Sequence, residues 1–200
     1  MLKKLLIPVF GIVALAVLSG IALAGVPCAG TSTVVVTENS AQCTGAAAIC
    51  PAGDKDTLKI EVTVLDCYGT ALSGKSVTLT PISSGFKFRA ADSSKVAATD
   101  VLGKVSWGYR CFGGCGNLQF QAVVDGVTIG PSTAIYIANF DNNAVPTGKC
   151  DAVDLGIFGT NYGSTTWPCG DFNCSAKTDA VDLAIFGTHY GHQFGMPLCP

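Results

Sequence analysis

Two stretches of thirteen residues, offset by 28, carry nearly the same text. Residues 151–163 read Asp-Ala-Val-Asp-Leu-Gly-Ile-Phe-Gly-Thr-Asn-Tyr-Gly and residues 179–191 read Asp-Ala-Val-Asp-Leu-Ala-Ile-Phe-Gly-Thr-His-Tyr-Gly, with eleven positions identical. The second copy is preceded by Asp171-Phe-Asn-Cys-Ser-Ala-Lys-Thr178. Asp171, Asn173, Ser175, Lys177, Asp179 and Asp182 therefore occupy positions 1, 3, 5, 7, 9 and 12 of a loop. Alternate side chains of a tightly coiled loop converge on one point. Hard oxygen ligands at that spacing, with the Lys177 backbone carbonyl at position 7, suit Ca²⁺. Asp182 then begins a helix in which Val181, Ile185 and Phe186 bury one side.

The first loop is less regular. Counting back from Asp154 puts Asp151 at position 9, Lys149 at 7, Gly148 at 6, Thr147 at 5, Val145 at 3 and Asn143 at 1. Valine has no side-chain oxygen, so this loop binds metal only if the irregularity is tolerated, or if a small insertion brings Asp141 in instead. A plainer reading makes Asp151 and Asp179 helix caps. That accounts for the two aspartates but not for the further oxygen residues at alternate positions of the second loop. Asn173-Cys-Ser175 also fits a glycosylation acceptor pattern, which a calcium-ligand role for Asn173 argues against.

The pattern Asp-x-Asn-x-Ser-x-Lys-Thr-Asp-x-x-Asp over 171–182, the duplication, and Leu-x-x-Phe-Gly in each helix together resemble a type I dockerin repeat. The resemblance covers about residues 139–200. It implies a small α-helical module of two EF-hand-like calcium loops and helices that docks a cohesin module of another protein. Ser175 stands where Asp is usual, and Ala176 where Gly makes the sharp turn. At positions 10 and 11, which read the partner in this family, the chain has Ala152-Val153 and Ala180-Val181 in place of the common Ser-Thr pairs.

Charge separates this third from the rest. Residues 139–200 hold six Asp against Lys149 and Lys177, whereas residues 25–138 balance eight acids with eight bases. The neutral part alternates apolar and polar residues: Leu58-Ile60-Val62-Val64, Val77-Leu79, Val105-Trp107-Tyr109 and Leu118-Phe120-Ala122-Val124. Turn signals follow at Asp66-Cys-Tyr-Gly69, Ser73-Gly74, Leu102-Gly103, Gly113-Gly114 and Asp125-Gly126, the last a hairpin candidate. With Thr33–Glu38 and Ala134–Ile137, seven or eight short strands are expected, at the spacing of a β-sandwich. Val62 through Leu79 and Thr99-Asp-Val-Leu-Gly-Lys-Val-Ser-Trp107 resemble the bacterial immunoglobulin-like modules of invasin and intimin type, over about residues 31–138. The resemblance implies a spacer or adhesion module and no chemistry of its own. The expected fold class is mainly β, an immunoglobulin-like sandwich over 25–138 followed by the dockerin-like pair over 139–200.

Residues 1–24 read as a secretory signal peptide. Lys3 and Lys4 precede an apolar stretch from Leu5 to Leu23, and Ala22-Leu-Ala24 forms the cleavage site, so the mature chain begins at Gly25. The alternative is an uncleaved membrane anchor. After cleavage no span remains, and the protein is secreted or sits at the cell surface. All ten cysteines lie beyond this leader, and an exported chain uses them for disulfides. Cys43–Cys50, Cys111 with either Cys115 or Cys67, and pairing of Cys150, Cys169, Cys174 and Cys199 among themselves are the expected bridges.

The composition also excludes. A net charge of −2, from 12 basic and 14 acidic residues, leaves no basic surface for nucleic acid. The two histidines, His189 and His192, fall where the first repeat has Asn161 and Ser164, which makes them surface variation and not part of a triad. No phosphate loop or nucleophile elbow is present. Trp107 reads as core and Trp167 as a loop residue packing between the repeats. Two readings follow: a non-catalytic secreted adaptor whose C-terminal module binds a cohesin-like partner or self-associates, or a structural surface or appendage component in which calcium only stiffens the terminal domain.

Overall fold

The alternating runs become strands, and their alternation decides which side faces inward. The computed structural model describes residues 25–37, 46–49, 58–88, 93–109, 111–143 and 145–193. The expected leader and the Cys43–Cys50 bridge lie outside them. In chain order the strands are β1 (Thr33–Thr37), β2 (Ala46–Ile49), β3 (Leu58–Thr63), β4 (Ser76–Pro81), β5 (Lys87–Phe88), β6 (Lys95–Ala98), β7 (Lys104–Tyr109), β8 (Cys111–Gly113), β9 (Gly116–Leu118), β10 (Phe120–Val124), β11 (Val127–Ile129) and β12 (Ile135–Asn139). Helices α1 (Ala152–Thr160) and α2 (Ala180–His189) follow.

Two antiparallel sheets, β1-β3-β7 and β11-β10-β4-β6, turn their apolar faces onto one core. Leu58, Ile60 and Val62 of β3, Val77 and Leu79 of β4, and Phe120, Ala122 and Val124 of β10 are buried. Each large aliphatic side chain taken out of water here contributes about 2 kcal/mol. The Tyr109 ring meets Phe120 edge-on at 4.7 Å, and its hydroxyl donates to the Leu79 carbonyl. Trp107 is only partly buried, packed on the margin of this core. The Asp125-Gly126 hairpin forms, joining Val124 to Val127 with φ of 50° and 81° at its tip.

The single strand expected over Leu118–Val124 is two. β9 pairs with β12, whereas β10 pairs with β4. Serine hydroxyls take the backbone donors at the crossing: Gln119 N–H donates to Ser83 Oγ and Phe120 N–H to Ser132 Oγ. The third sheet, β2-β12-β9, includes the parallel pair β2–β12.

β12 delivers the chain into a second core made of Ala138, Phe140, Cys150, Phe158, Phe172 and Phe186. Phe158 and Phe186 hold the same position in the two repeats and lie 5.6 Å apart. Trp167 packs edge-on against Phe158 at 6.2 Å, between the repeats as expected. Each helix buries little else beyond that phenylalanine and its first-turn aspartate. Val181 was expected on the buried side, but it is 53% exposed. Asp182 and Phe186, four residues apart, form the inner face of α2, and Val181 beside Asp182 lies outside it.

The disulfides differ from those expected. Cys67 pairs with Cys28, and Cys115 pairs with Cys169, so neither Cys67 nor Cys115 is left for Cys111. The Cys115–Cys169 bridge joins the β part to the repeat part, and the four C-terminal cysteines do not pair only among themselves. Cys150 is a buried free thiol, and Cys174 is disulfide-bonded. Folding brought into contact segments that spacing alone does not relate.

Candidate metal centre

The second loop coils around its own backbone donors. Asp171 accepts Ser175 N–H on Oδ1 and Ala176 N–H on Oδ2, both at 2.8 Å. Asn173 Oδ1 accepts the Ser175 N–H at 3.0 Å, and Ser175 Oγ donates to the Lys177 carbonyl at 3.1 Å. Asp182 closes the loop from below: fully buried, it accepts Phe172 and Asn173 N–H on Oδ1 and Asp179 N–H on Oδ2. Asp179 caps α2 through Val181 N–H and completes a capping box with Asp182. The cap reading of Asp179 thus holds, its side chain accepting the backbone N–H groups of Val181 and Asp182. Two non-glycine residues adopt left-handed backbone in this loop, Cys174 (φ 58°) and Ala176 (φ 65°).

The first loop repeats this wiring with a different first residue. Asp154 accepts Asn142 N–H and Asp151 N–H, as Asp182 accepts Phe172 and Asp179. Asp151 caps α1 through Val153 N–H. Asp141 accepts the Gly148 N–H, the bond that Asp171 makes to Ala176, and Gly148 has φ 82° where Ala176 has 65°. Seven residues separate Asp141 from Gly148 and five separate Asp171 from Ala176, so the first loop carries two extra residues. Asp141 therefore makes the bond that Asp171 makes at the first position of the second loop. Asn143 instead donates its side-chain amide to Asp141 Oδ1 at 3.2 Å. Thr147 and Lys149 stay ahead of Asp151 as counted back from the helix. The extra length bulges at Val145-Pro146, and Pro146 lies against Gly113, where a Cβ would collide with Pro146 and Asp141.

The loops are locked together by exchange. Cys150 N–H donates to the His192 carbonyl and Gly191 N–H to the Cys150 carbonyl, while Thr178 N–H donates to the Ser164 carbonyl and Gly163 N–H to the Thr178 carbonyl, all at 2.8 Å. Cys150 and Thr178 are equivalent positions 28 apart, as are Gly163 and Gly191, and Ser164 and His192. Each loop is thereby held by the end of the other repeat's helix, which gives the pair an approximate two-fold relation.

Burial raises the pKa of Asp141 against the opposing backbone bonds of Gly148 and Thr147. Asp154 is pushed up to about 6, by burial first and by the charges of Asp141 and Asp151. Raised carboxyl pKa values are what buried acids show when positive charge is short. The Cys150 thiol, pushed up to about 12 by burial and by the same three acids, is a poor nucleophile. His189 is lowered to about 4 by burial and by His192, stacks on Phe140 at 4.1 Å, and keeps Nδ1 buried without a hydrogen-bond partner.

Among the described residues no three His, Cys, Asp or Glu side chains stand together as a metal-holding group. The loop acids are turned onto backbone N–H groups, and the remaining donors are amide, hydroxyl and carbonyl oxygens. An all-oxygen set fits a hard cation such as Ca²⁺ and not zinc or copper. The four positions expected to read a partner, Ala152, Val153, Ala180 and Val181, are all exposed. Val153 is 60% exposed, and Leu155 and Leu183 are exposed as well. The longer first loop matches the alternative in which a small insertion brings Asp141 in, whereas the bridge from Cys115 to Cys169 has no signal in the cysteine spacing. No protein-family model matches the chain, and no curated protein matches it significantly. No helix among the described residues is long and apolar enough to cross a membrane.

Proposed function

We propose that this is an exported, calcium-binding assembly protein without catalytic chemistry. Its residues 25–138 serve as an immunoglobulin-like spacer or adhesion unit, and its residues 139–200 are a dockerin-like pair that binds a cohesin-type partner. The reading rests above all on one observation, the matched wiring of Asp141, Asp151 and Asp154 with Asp171, Asp179 and Asp182. A helix cap requires only the later two acids of each set. In each loop the first acid reaches across the coil to accept the N–H of a left-handed residue, a bond that capping the helix does not call for.

Asp171, Asn173, Ser175, the Lys177 carbonyl, Asp179 and Asp182 would hold the second ion, and Asp141, Thr147, the Lys149 carbonyl, Asp151 and Asp154 the first. Bound Ca²⁺ supplies positive charge that neutralises the loop acids and makes loop order depend on the metal. The chain's own contribution is to present two exposed apolar helix starts, Ala152-Val153 and Ala180-Val181, at the same place in each repeat. Exposed apolar residues set on capped, rigid helix ends suit a protein partner.

The Cys115–Cys169 bridge supports a second reading, in which the module is a fixed terminal domain of a surface or appendage structure. Binding to a set of cohesin-type modules and self-association by sedimentation separate the two. Under the adaptor reading, the double substitution V153D/V181D abolishes partner binding and leaves calcium uptake unchanged. Absence of any partner or self-association in the wild-type chain with calcium present favours the structural role.

A further inference from the structure

The two sheets of the first core have four outer edges, and three of them are blunted. β11 is three residues long, β6 begins on Lys95, and β7 begins on Lys104 and has its Gly108 carbonyl taken by the Lys95 ammonium. Short strands and edge lysines are what keep one sheet edge from pairing with another. β1 has neither: Thr33-Val-Val-Val-Thr37 is five β-branched residues without charge, proline or glycine. In β3 and just beyond it, the backbone groups alternate between the two neighbouring strands. Val64 donates its N–H to the Gly103 carbonyl on the β7 side. On the β1 side, the Leu65 carbonyl accepts Cys28 N–H, Leu65 N–H donates to Ser32 Oγ, and the Lys59 carbonyl accepts Thr37 Oγ1. Thr63, Glu61 and Lys59 therefore bond their register partners Thr33, Val35 and Thr37, and the N–H and C=O groups of Val34 and Val36 point away from β3. Among the described residues no strand lies beside them. A groove bounded by Ser32, Val34, Val35, Gly130, Pro131 and Thr133 opens beside the strand.

The strand also reads the same in both directions. We propose that two copies of the chain pair through this edge, β1 running antiparallel to its twin about a two-fold axis at Val35, to make one six-stranded sheet β7-β3-β1-β1-β3-β7. Val34 of each copy then lies opposite Val36 of the other. These are the residues whose backbone groups point outward, and each such pair exchanges two hydrogen bonds. On the outer face Val35, 50% exposed in the single chain, meets Val35, and Thr33 meets Thr37. Cross-strand pairs of this kind are favourable, and no charge of β1 opposes its like. A slip of one residue sets outward-facing backbone groups against inward-facing ones, which holds the register at Val35. Each copy offers one such edge among the four, so the pairing closes at two chains. The dimer does not rest on the calcium loops.

The test is sedimentation equilibrium of the oxidised, exported chain, run in chelator so that any calcium-dependent association through the repeat part is removed. A monomer–dimer equilibrium is expected. V35K sets two ammonium groups against each other at the axis, while within one chain the new side chain faces Glu61 across β3. It therefore weakens dimerisation about tenfold or more and leaves the melting temperature of the single chain unchanged. V36P removes an N–H that only the dimer uses, and weakens dimerisation likewise. Register is read by cross-linking. V35C joins to itself on mild oxidation, whereas T33C does not, because its partner position is Thr37 and the two Thr33 residues stand about 14 Å apart. A chain that stays monomeric, a dimer that V35K leaves intact, association beyond two chains, or cross-linking of T33C as readily as of V35C overturns the proposal.

Discussion

Ala176 is one of two residues where the second loop adopts left-handed backbone without glycine. Its φ of 65° lies in the left-handed region, which disfavours a β-carbon by about 1–2 kcal/mol, and the equivalent residue of the first loop is a glycine, Gly148. Ala176→Gly should raise the chain's stability by about 1 kcal/mol and tighten calcium binding, as read by chemical denaturation and calorimetry. His189 acts in the opposite direction. Its folded pKa of about 4 lies below the unfolded value near 6.5, so between those values the unfolded chain binds the extra proton. Its contribution is full above pH 6.5 and is lost as the pH falls toward 4. After allowance for solvent screening it is worth about 2 kcal/mol. H189F keeps the stack on Phe140 and should gain stability relative to the wild type as the pH falls from 7 to 4 in urea unfolding, while Asp154, raised to about 6, titrates in the opposite sense in both chains.

Both helices are weak as isolated segments. α1 contains Gly156 and Gly159, each costing about 1 kcal/mol against alanine, and so depends on its Asp151–Asp154 capping box and on Phe158. α2 depends in the same way on Phe186. Phe186→Ala should destabilise the repeat part by about 3–5 kcal/mol, whereas V181D, at an exposed site, should change stability by less than about 0.5 kcal/mol; thermal unfolding of the two variants compares them directly. At this scale the sequence was readable where a period was long enough to see. β3, β4, β7 and β10 follow the alternation of Leu58–Val64, Val77–Leu79, Val105–Tyr109 and Phe120–Val124. The short β5, β6 and β8 offer two to four residues each, too few to carry a period, and β9 and β10 read as one run because Ser83 and Ser132, which take the N–H groups between them, are distant in sequence. The helix starts were legible from the repeated Asp-Ala-Val-Asp. The side of α2 that faces inward was not, since Val181 and Phe186 are equally apolar and the residue that shares the inner face with Phe186 is the polar Asp182.

At the scale of the molecule, two cores meet where β12 passes Asn139 and the chain enters the first loop. The join is fastened by Cys115–Cys169, by Gly114 N–H donating to the Asp141 carbonyl, and by Pro146 seated on Gly113. None of these could be read from spacing, because each pairs residues more than 25 positions apart. The same join explains the two extra residues of the first loop: they carry its bulge onto the β part while Asp141 makes the bond that Asp171 makes in the second loop. The order of that loop is thereby coupled to the seam between the cores. The most direct measurement is a calorimetric Ca²⁺ titration of the oxidised chain beside the double variant D141N/D171N, with thermal unfolding of both in calcium and in chelator. The account predicts two ions bound, a chelator-sensitive melting step in the wild type, and loss of both in the variant. No calcium binding by the wild type, or equal binding by the variant, would contradict it and leave Asp151, Asp154, Asp179 and Asp182 as helix caps alone.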